Sequence, residues 1–430
     1  MLMIRSFRFL LPAMIAITAE IGGVGTALGQ SAGYQDYAYP DGVYPAYTYQ
    51  GPVDPPSAYP QPQTGASAGA GPAAAAQAAP APRSAAVAAL SDGFAAKANQ
   101  PELPTMLGGR SKQALPEVAR LQILLARAHV SPGVIDGRSG GNLAKAVSAL
   151  ETMNGLPATG RMSPAIADIL AALGTRPVLT DYLISPADAA GPFTPVIPKD
   201  YAELARLPRL DYKNIVEMLA EKFHMDEDFL RRLNPHATFA AGETITVADV
   251  GRAAKTRVYH LVANRDARQL LGYDADWKLV VAYPATIGST DMPSPSGMHK
   301  VKAIAADPVY WYRPKVNFQQ GDNDRPLKIP PGPNNPVGAV WIGLDKPTYG
   351  IHGTPEPSRI DKTNSHGCLR LTNWDALELA HLVRPGVDVD FTDSPATTAS
   401  VAPPAANPPA PTAPLSQQPI SQQPMPPAVR

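Results

Sequence analysis

The residues best suited to covalent chemistry lie in one short segment, 349–371. It holds the chain's one cysteine, Cys368, and two histidines, His352 and His366, within the sixteen positions before it. A thiolate attacks carbonyl carbon, and an imidazole in hydrogen-bond reach lowers the free-energy cost of that thiolate and later shuttles the proton. Gly367 permits an unusual turn, so successive amides could point together at a developing oxyanion. The segment therefore predicts a nucleophile, a base and an anion site.

Two other interpretations of this segment stay open. A lone cysteine is usually an inert buried hydrophobe, although Ser365-His366-Gly367-Cys368 stands among polar and small residues. A zinc ion bound by His352, His366 and Cys368 is the second, but the sequence singles out no fourth ligand or catalytic acid. One cysteine excludes an internal disulfide framework and multi-cysteine metal cages. No cofactor or metal is therefore expected.

The elements that must position the segment are short strands. From 255 to 393, β-rich runs alternate with Gly, Pro, Asn and Asp clusters, which favours a mainly-β, antiparallel domain. A single helix is predicted over 373–382, with Asn373 available as its cap. The predicted strands are 257–263, 279–283, 298–304, 339–344 and 387–391.

Two small modules are predicted before this domain. Over 109–175, apolar residues at three- and four-residue spacing and turn glycines predict three helices with one buried face. Over 205–250, two helix-like runs and a strand near 243–247 predict a β-α-α-β unit whose first strand is poorly marked. The expected fold class is multidomain α+β.

The two ends of the chain differ from the modules in composition. Residues 1–29 combine two arginines, an apolar run and small residues, the pattern of a secretory signal peptide. Of the 49 prolines, 21 lie in 31–100 and 394–430. The segments 30–108 and 394–430 are therefore predicted to be a disordered Ala/Pro/Tyr-rich linker and a disordered Pro-rich tail. Export across the inner membrane to the periplasm or cell wall is expected, with membrane contact only through an uncleaved signal segment.

Charge and motif order exclude several functional classes. The 37 basic and 37 acidic side chains give a formal net charge of zero, which removes the bulk electrostatic argument for nucleic acid. No Ser-x-x-Lys occurs, so a serine penicillin-binding mechanism is disfavoured. A papain-like order is disfavoured as well, because only His381 follows Cys368.

The segment 349–371 resembles the signature of the L,D-transpeptidase family, also called the YkuD domain. That signature is a histidine, a loop and then Ser/Thr-His-Gly-Cys, and His352 with Ser365-His366-Gly367-Cys368 fits it without a gap. Pro295-Ser296-Gly297 and the proline-rich run 330–338 are similar to two further stretches of the family. Together these stretches cover about 135 residues of the chain.

The two smaller modules also resemble known domains. The helical module is similar to the three-helix peptidoglycan-binding domain through Leu121-Gln122, Asp136-Gly137 and Thr159-Gly160. The module 205–250 is similar to a LysM unit, a sugar-binding fold. For both modules a purely packing role remains the alternative.

The family resemblance implies roles for individual residues. Cys368 would be the acylated nucleophile and His352 the general base, oriented through a backbone carbonyl near Gly353. The amides of His366, Gly367 and Cys368 would form an oxyanion hole, and Ser365 would donate a supporting hydrogen bond. Arg370 would bind the substrate carboxylate or give local electrostatic support. Trp311 and Tyr312 would be walls of the substrate cleft, with a packing role as the alternative.

The resemblance also implies a reaction. An exported enzyme would attack the third residue of a peptidoglycan tetrapeptide stem, release the terminal D-alanine, and pass the acyl group to a neighbouring stem as a 3→3 cross-link, a step in peptidoglycan biosynthesis, cell-wall organisation and cell shape. Water as acceptor would make it an L,D-carboxypeptidase, and a protein amine would attach a protein to the wall. A non-catalytic peptidoglycan-binding scaffold is the alternative from another class. The expected partners are stem peptides, with glycan as a second ligand.

Overall fold

The computed structural model describes residue 90 and the ranges 93–107, 113–288, 294–363 and 367–393. The predicted signal peptide, the Pro-rich tail, most of the predicted linker, and Ser365 and His366 lie outside the described residues. Within the described ranges, no helix combines the length and the apolar character needed to cross a membrane.

Three helices form the first module, as the apolar spacing predicts. They are α2 (Pro116–Arg127), α3 (Gly141–Met153) and α4 (Pro164–Leu173), preceded by a short helix, α1 (Phe94–Ala98). The Gln122 side chain on α2 explains two of the sequence motifs: its Oε1 accepts from the amides of Asp136 and Gly137 at 3.1 and 2.8 Å. Helix α1 falls inside the predicted disordered linker 30–108, so that prediction extends too far. A five-residue helix has almost no sequence signal, and tertiary packing stabilises this one: Phe94 is buried and meets the Phe229 ring edge-on.

The middle module contains the predicted helices and strand. Its elements are β1 (Leu179–Leu183), α5 (Pro186–Ala190), α6 (Tyr201–Leu204), α7 (Ile215–Lys222), α8 (Glu227–Leu233) and β2 (Thr244–Ala248). Strands β1 and β2 pair antiparallel. The strand that completes the unit therefore lies before the range 205–250, and the segment that carries α5 and α6 is inserted between it and α7.

The third module contains a mixed β-sheet and one long helix. The strands are β3 (His260–Asn264), β4 (Gln269–Tyr273), β5 (Leu279–Pro284), β6 (Thr286–Ile287), β7 (Gly297–Ala306), β8 (Tyr310–Tyr312), β9 (Leu327–Ile329), β10 (Val340–Leu344), β11 (Gly350–His352), β12 (Leu369–Arg370) and β13 (Asp388–Thr392), and the helix is α9 (Asn373–Leu382). Among the described residues, nine of these strands form one sheet in the order β5-β4-β3-β13-β7-β10-β11-β12-β6, and β8 and β9 form a separate hairpin.

The expectation of a purely antiparallel sheet is wrong at two places. Strand β13 pairs parallel to β3, and β12 pairs parallel to β11. Parallel neighbours require a long connection between them. The second pair has one in the loop 353–368, and this loop carries the predicted nucleophile.

The first two modules share a hydrophobic core, and that core reaches the sheet of the third module. Buried residues of α2, α3, α7 and α8 cluster with Leu271 and Ala282 of the sheet. At the sheet edge, Val130 bridges to Ala282 of β5, with the Ala282 amide donating to the His129 carbonyl at 3.0 Å. The helical module thus covers an edge strand that would otherwise expose unpaired backbone groups.

Candidate active site

The predicted nucleophile lies at the start of β12 in a constrained turn. Cys368 is half-buried, and its Sγ lies 3.7 Å from the Thr348 carbonyl oxygen. The preceding residue, Gly367, has φ +97°, a conformation that side chains other than glycine rarely adopt. The Ser294 hydroxyl donates to the Gly367 carbonyl at 2.8 Å. Ser294 was missed from the sequence, although it adjoins the Pro295-Ser296-Gly297 motif.

The predicted base is buried at the end of β11. His352 is 4% exposed, and its Nδ1 lies 2.7 Å from the Gly353 carbonyl oxygen. The Trp341 ring stacks on the imidazole, with ring centroids 5.5 Å apart and planes 19° apart. Trp341 reaches it because β10 pairs with β11 in a register that places Trp341 opposite His352. The space this ring occupies requires glycine at 350, since a Cβ there would meet Trp341 Cζ2 at 2.6 Å.

Strand pairing brings two of the sequence-predicted residues to one face of the sheet. His352 of β11 is directly opposite Arg370 of β12, and cross-strand partners share a face. Cys368 lies at a bend just before β12, and the Arg370 charge lowers the pKa of both its thiol and the His352 imidazole. The three groups are therefore neighbours, although 16 to 18 residues separate His352 from the other two along the chain.

The electrostatics of this face favour neutral forms at rest. Burial raises the pKa of the Cys368 thiol above its ordinary value, while a backbone hydrogen bond from Gly350 and the Arg370 charge oppose that rise. Burial, reinforced by the Arg370 charge, lowers the pKa of His352 to about 3. A protonated thiol beside a neutral imidazole is the arrangement these directions support at neutral pH. A preformed ion pair, which the sequence pattern suggested, is disfavoured.

The aromatic residues near the site differ from those predicted. Tyr312 is fully buried in a small core with Leu204, Leu210 and Ile329, so it has the packing role that was the alternative to a cleft wall. Trp311 is 53% exposed on the opposite face of the hairpin, where Lys328 lies over its ring. Tyr310 shares the inward face of β8 with Tyr312, and of the two it is Tyr310 that interacts electrostatically with Cys368.

The Tyr310 hydroxyl is close enough to Cys368 and Arg370 to interact with their charges. Burial raises the pKa of Tyr310, Tyr201 and Cys368 raise it further, and the Arg370 charge opposes the rise. Tyr201 of α6 packs edge-on against Tyr310, with ring centroids 6.2 Å apart, and burial raises its pKa to about 12. The middle module therefore contributes an aromatic residue to the surroundings of the site, which no local sequence pattern could indicate.

Asn373 has a different function from the one predicted. The cap of α9 is Thr372, whose side chain accepts from the Asp375 amide at 3.1 Å. Asn373 is instead buried, and its Oδ1 accepts from the amides of Ala339 and Thr354 at 3.0 and 3.1 Å. It thereby ties β10 to the segment that follows β11, next to the base.

The structure offers no support for a metal centre in the described part of the chain. There, no three His, Cys, Asp or Glu side chains are grouped so that they could hold a metal ion. His366, one of the three ligands in the zinc alternative, lies outside the described residues.

Comparisons with known protein families match two of the modules. The profile of the "L,D-transpeptidase catalytic domain" matches residues 258–391, and that of the "Putative peptidoglycan binding domain" matches residues 115–170. The first range contains the sheet, α9 and every residue of the candidate site, and the second contains most of the three helices. No LysM profile is among these matches, so the LysM-like nature of the middle module stays a prediction.

Three curated relatives of the chain are all named as L,D-transpeptidases. It is similar to "Putative L,D-transpeptidase YkuD" of Bacillus licheniformis, with 32% identity over 180 residues that cover 41% of this chain and 93% of that protein. It is 32% identical to "Putative L,D-transpeptidase YqjB" of Bacillus subtilis over 33% of this chain and 76% of that protein. It is 33% identical to "Probable L,D-transpeptidase YbiS" of Escherichia coli over 32% of this chain, but over only 46% of that protein. The first match is longer than the catalytic domain itself. The chain therefore belongs to the L,D-transpeptidase family, and it is a transpeptidase enzyme.

Proposed function

We propose that this enzyme forms 3→3 peptidoglycan cross-links by cysteine acyl transfer. The observation that carries the proposal is the parallel pairing of β11 with β12, which sets His352 opposite Arg370, with the half-buried Cys368 thiol close enough for the Arg370 charge to lower its pKa. The family match supports the reaction class, and the match over 115–170 supports peptidoglycan as the substrate. The acceptor and the roles of individual residues are part of the proposal.

In the acylation step, the Cys368 sulfur attacks the carbonyl carbon of the third stem residue. Because the thiol is protonated at rest, its proton passes to the neutral His352 imidazole as the carbon–sulfur bond forms. The backbone amides of the turn around Gly367 stabilise the oxyanion. The carbon–nitrogen bond to the terminal D-alanine then breaks, and the imidazolium proton goes to the departing amine.

In the transfer step, the amine of a neighbouring stem attacks the thioester. It loses a proton to His352, and the carbon–sulfur bond breaks to release the sulfur, which regains the proton. The position of Arg370 opposite His352 suits its guanidinium to bind a carboxylate of the stem. Water in place of the amine would give a carboxypeptidase, and a protein amine would give wall attachment of that protein.

The test is covalent labelling followed by product analysis. Wild-type protein exposed to a carbapenem should gain the mass of one drug molecule, and Cys368→Ala should gain none. Incubation with tetrapeptide-containing muropeptides should yield 3→3 dimers with the wild type only. Tripeptides without dimers would establish the hydrolase instead, and an unlabelled wild type with no product would favour the non-catalytic scaffold.

We further propose that the chain acts after export, in the periplasm or cell wall. The three-part pattern of residues 1–29 supports this location, since the substrate lies outside the inner membrane. The N-terminal sequence of protein recovered from the periplasm would show whether these residues are removed. Recovery of the intact N-terminus only in the cytoplasm would refute the location.

A further inference from the structure

One buried carboxyl group of the middle module is hydrogen-bonded directly to the catalytic domain. Glu221, on α7, is 8% exposed, and both of its oxygens lie 3.0 Å from Asn373 Nδ2. The two residues are 152 positions apart in the chain. Asn373 Nδ2 has one further acceptor, the Pro333 carbonyl at 3.2 Å.

The other end of the Asn373 amide holds the backbone beside the base. Its Oδ1 accepts from the amide of Ala339, just before β10, and from the amide of Thr354, just after β11. The Thr354 amide follows Gly353, whose carbonyl oxygen lies 2.7 Å from His352 Nδ1. A fixed series of hydrogen bonds thus runs from the Glu221 carboxyl group to the imidazole.

The Asn373 amide group packs tightly against the backbone of two glycines. A Cβ built on Gly338 or on Gly353 would lie 2.2 Å from Asn373 Oδ1. The amide group therefore sits in direct contact with both backbone segments. Because the amide is planar, fixing Nδ2 against Glu221 also fixes the direction in which Oδ1 receives the two backbone amides.

We infer that Glu221 is a positioning residue for the reaction: by orienting the Asn373 amide, it holds the Gly353 carbonyl and hence the His352 ring in the productive geometry. The inference rests on the proposed role of His352 as the base. It assigns to the middle module a part in catalysis that does not depend on glycan binding. A displacement of about 1 Å in a catalytic group can cost on the order of 10²-fold in rate, so loss of the carboxyl group should be visible in the chemical step.

The experiment compares variants of the full chain by the rate at which a carbapenem acylates Cys368, followed by intact mass. Glu221→Ala should lower the second-order rate constant by roughly 10-fold or more, since the Asn373 amide is then free to turn. Glu221→Gln, whose carbonyl still accepts from Asn373 Nδ2, should stay within about 3-fold of wild type. Ser131→Ala, which removes a buried hydrogen bond to α9 from the helical module, is the matched control and should react as the wild type does.

Exchanging the carboxyl group and the amide between positions 221 and 373 distinguishes a positioning role of Glu221 from a role in stability alone. Asn373→Asp alone removes the donor to Glu221 and to the Pro333 carbonyl, so acylation should slow. Combining Glu221→Gln with Asn373→Asp restores a donor and an acceptor across the same contact, and should recover most of the rate. If Glu221→Ala does not fold, the Asn373→Asp variant and the swap still decide the question.

The pH dependence gives a readout that a merely stabilising contact would not move. Loosening the Gly353 segment admits water to His352, and because burial is the main cause of its low pKa, the acidic midpoint of the acylation rate should move upward in Glu221→Ala. An unchanged rate and midpoint in Glu221→Ala would overturn the inference, as would a swap that fails to recover the rate. Failure of the wild type to be labelled at Cys368 would instead refute the proposed nucleophile, so the two failures are distinguishable.

Discussion

Helix α9 is the site of two junctions, one with each of the preceding modules, and they differ in construction. At the first, Glu221 of the middle module binds Asn373, and the amide atoms of Asn373 all have partners. At the second, Ser131 of the helical module donates to Asp375 at 3.0 Å, and His129 lies 3.4 Å from Glu378. The first junction connects through side-chain hydrogen bonds to the segment that follows His352, whereas the second, within the described ranges, extends through Asp375 only as far as Thr372, the cap of α9.

The second junction surrounds a small polar cavity. Its lining includes His129, Asp375 and Glu378, together with His224 and Trp374, whose rings stack 5.0 Å apart. His224 Nε2 and Trp374 Nε1 are buried there without a hydrogen-bond partner from the described residues. Burial lowers the pKa of His224 to about 4, which keeps this ring neutral. The proposal for Glu221 therefore distinguishes the two junctions: both bury polar groups against α9, but only the first is expected to position the base.

The largest expected effect is that of Asn373→Ala. It removes the acceptor of two backbone amides and the donor to Glu221, and buried groups left without partners cost about 1–3 kcal/mol each. We expect a loss of several kcal/mol in the free energy of unfolding and of at least ~10²-fold in acylation rate. Denaturant unfolding and carbapenem labelling measure the two effects. Asp375→Ala is the matched change at the second junction. If it lowers the acylation rate as much as Asn373→Ala does for the same loss in the free energy of unfolding, the two junctions do not differ in their effect on catalysis.

An intermediate effect concerns pH, because both junctions bury a carboxyl group that keeps its proton. Burial raises the pKa of Glu221 and of Asp375 to about 8. Between roughly pH 5 and 8 the folded chain therefore holds protons that the unfolded chain has lost, so stability falls as pH rises. The fall should be about 1.4 kcal/mol per pH unit for each group.

Unfolding curves across this pH range check the prediction. Glu221→Gln and Asp375→Asn should each reduce the slope of the free energy of unfolding against pH by about 1.4 kcal/mol per pH unit, because each replaces one titrating group with a neutral amide. Equal slopes in the wild type and both variants would contradict it. The two groups should thus be alike in their effect on stability, while Glu221 alone affects the acylation rate.

The smallest expected effect is that of Ser131→Ala. The variant loses one hydrogen bond to Asp375 and one from the Gly133 amide to the serine oxygen, so the free energy of unfolding should fall by about 1–2 kcal/mol. The acylation rate should not change, since no hydrogen bond of this serine leads to His352. A slower acylation in this variant, measured by intact mass at equal folded fraction, would show that the second junction also reaches the active site.

The sequence alone determined the parts of this protein that depend on short-range pattern. The histidine followed by Ser-His-Gly-Cys, the turn glycines and the helical spacing over 109–175 are local features, and they were sufficient to predict the family and the three helices. Strands of five or more residues were largely predicted as well. The two-residue strands β6 and β12 were not, because a strand that short is defined by its neighbours.

Tertiary structure decided which residues surround the chemistry. Tyr310 rather than Tyr312 lies near the site because, on the same face of the hairpin, Tyr312 packs into a separate small core. Asn373 holds the backbone beside His352, while Thr372 caps the helix. Glu221 could not have been found from the sequence: it is an ordinary helix-surface residue by type and spacing, and only the docking of the middle module buries it against α9. Sequence thus specified the reacting groups, whose chemistry is intrinsic to their side chains, while the fold specified the residues that hold them, because a hydrogen bond across 152 positions exists only once the chain is folded.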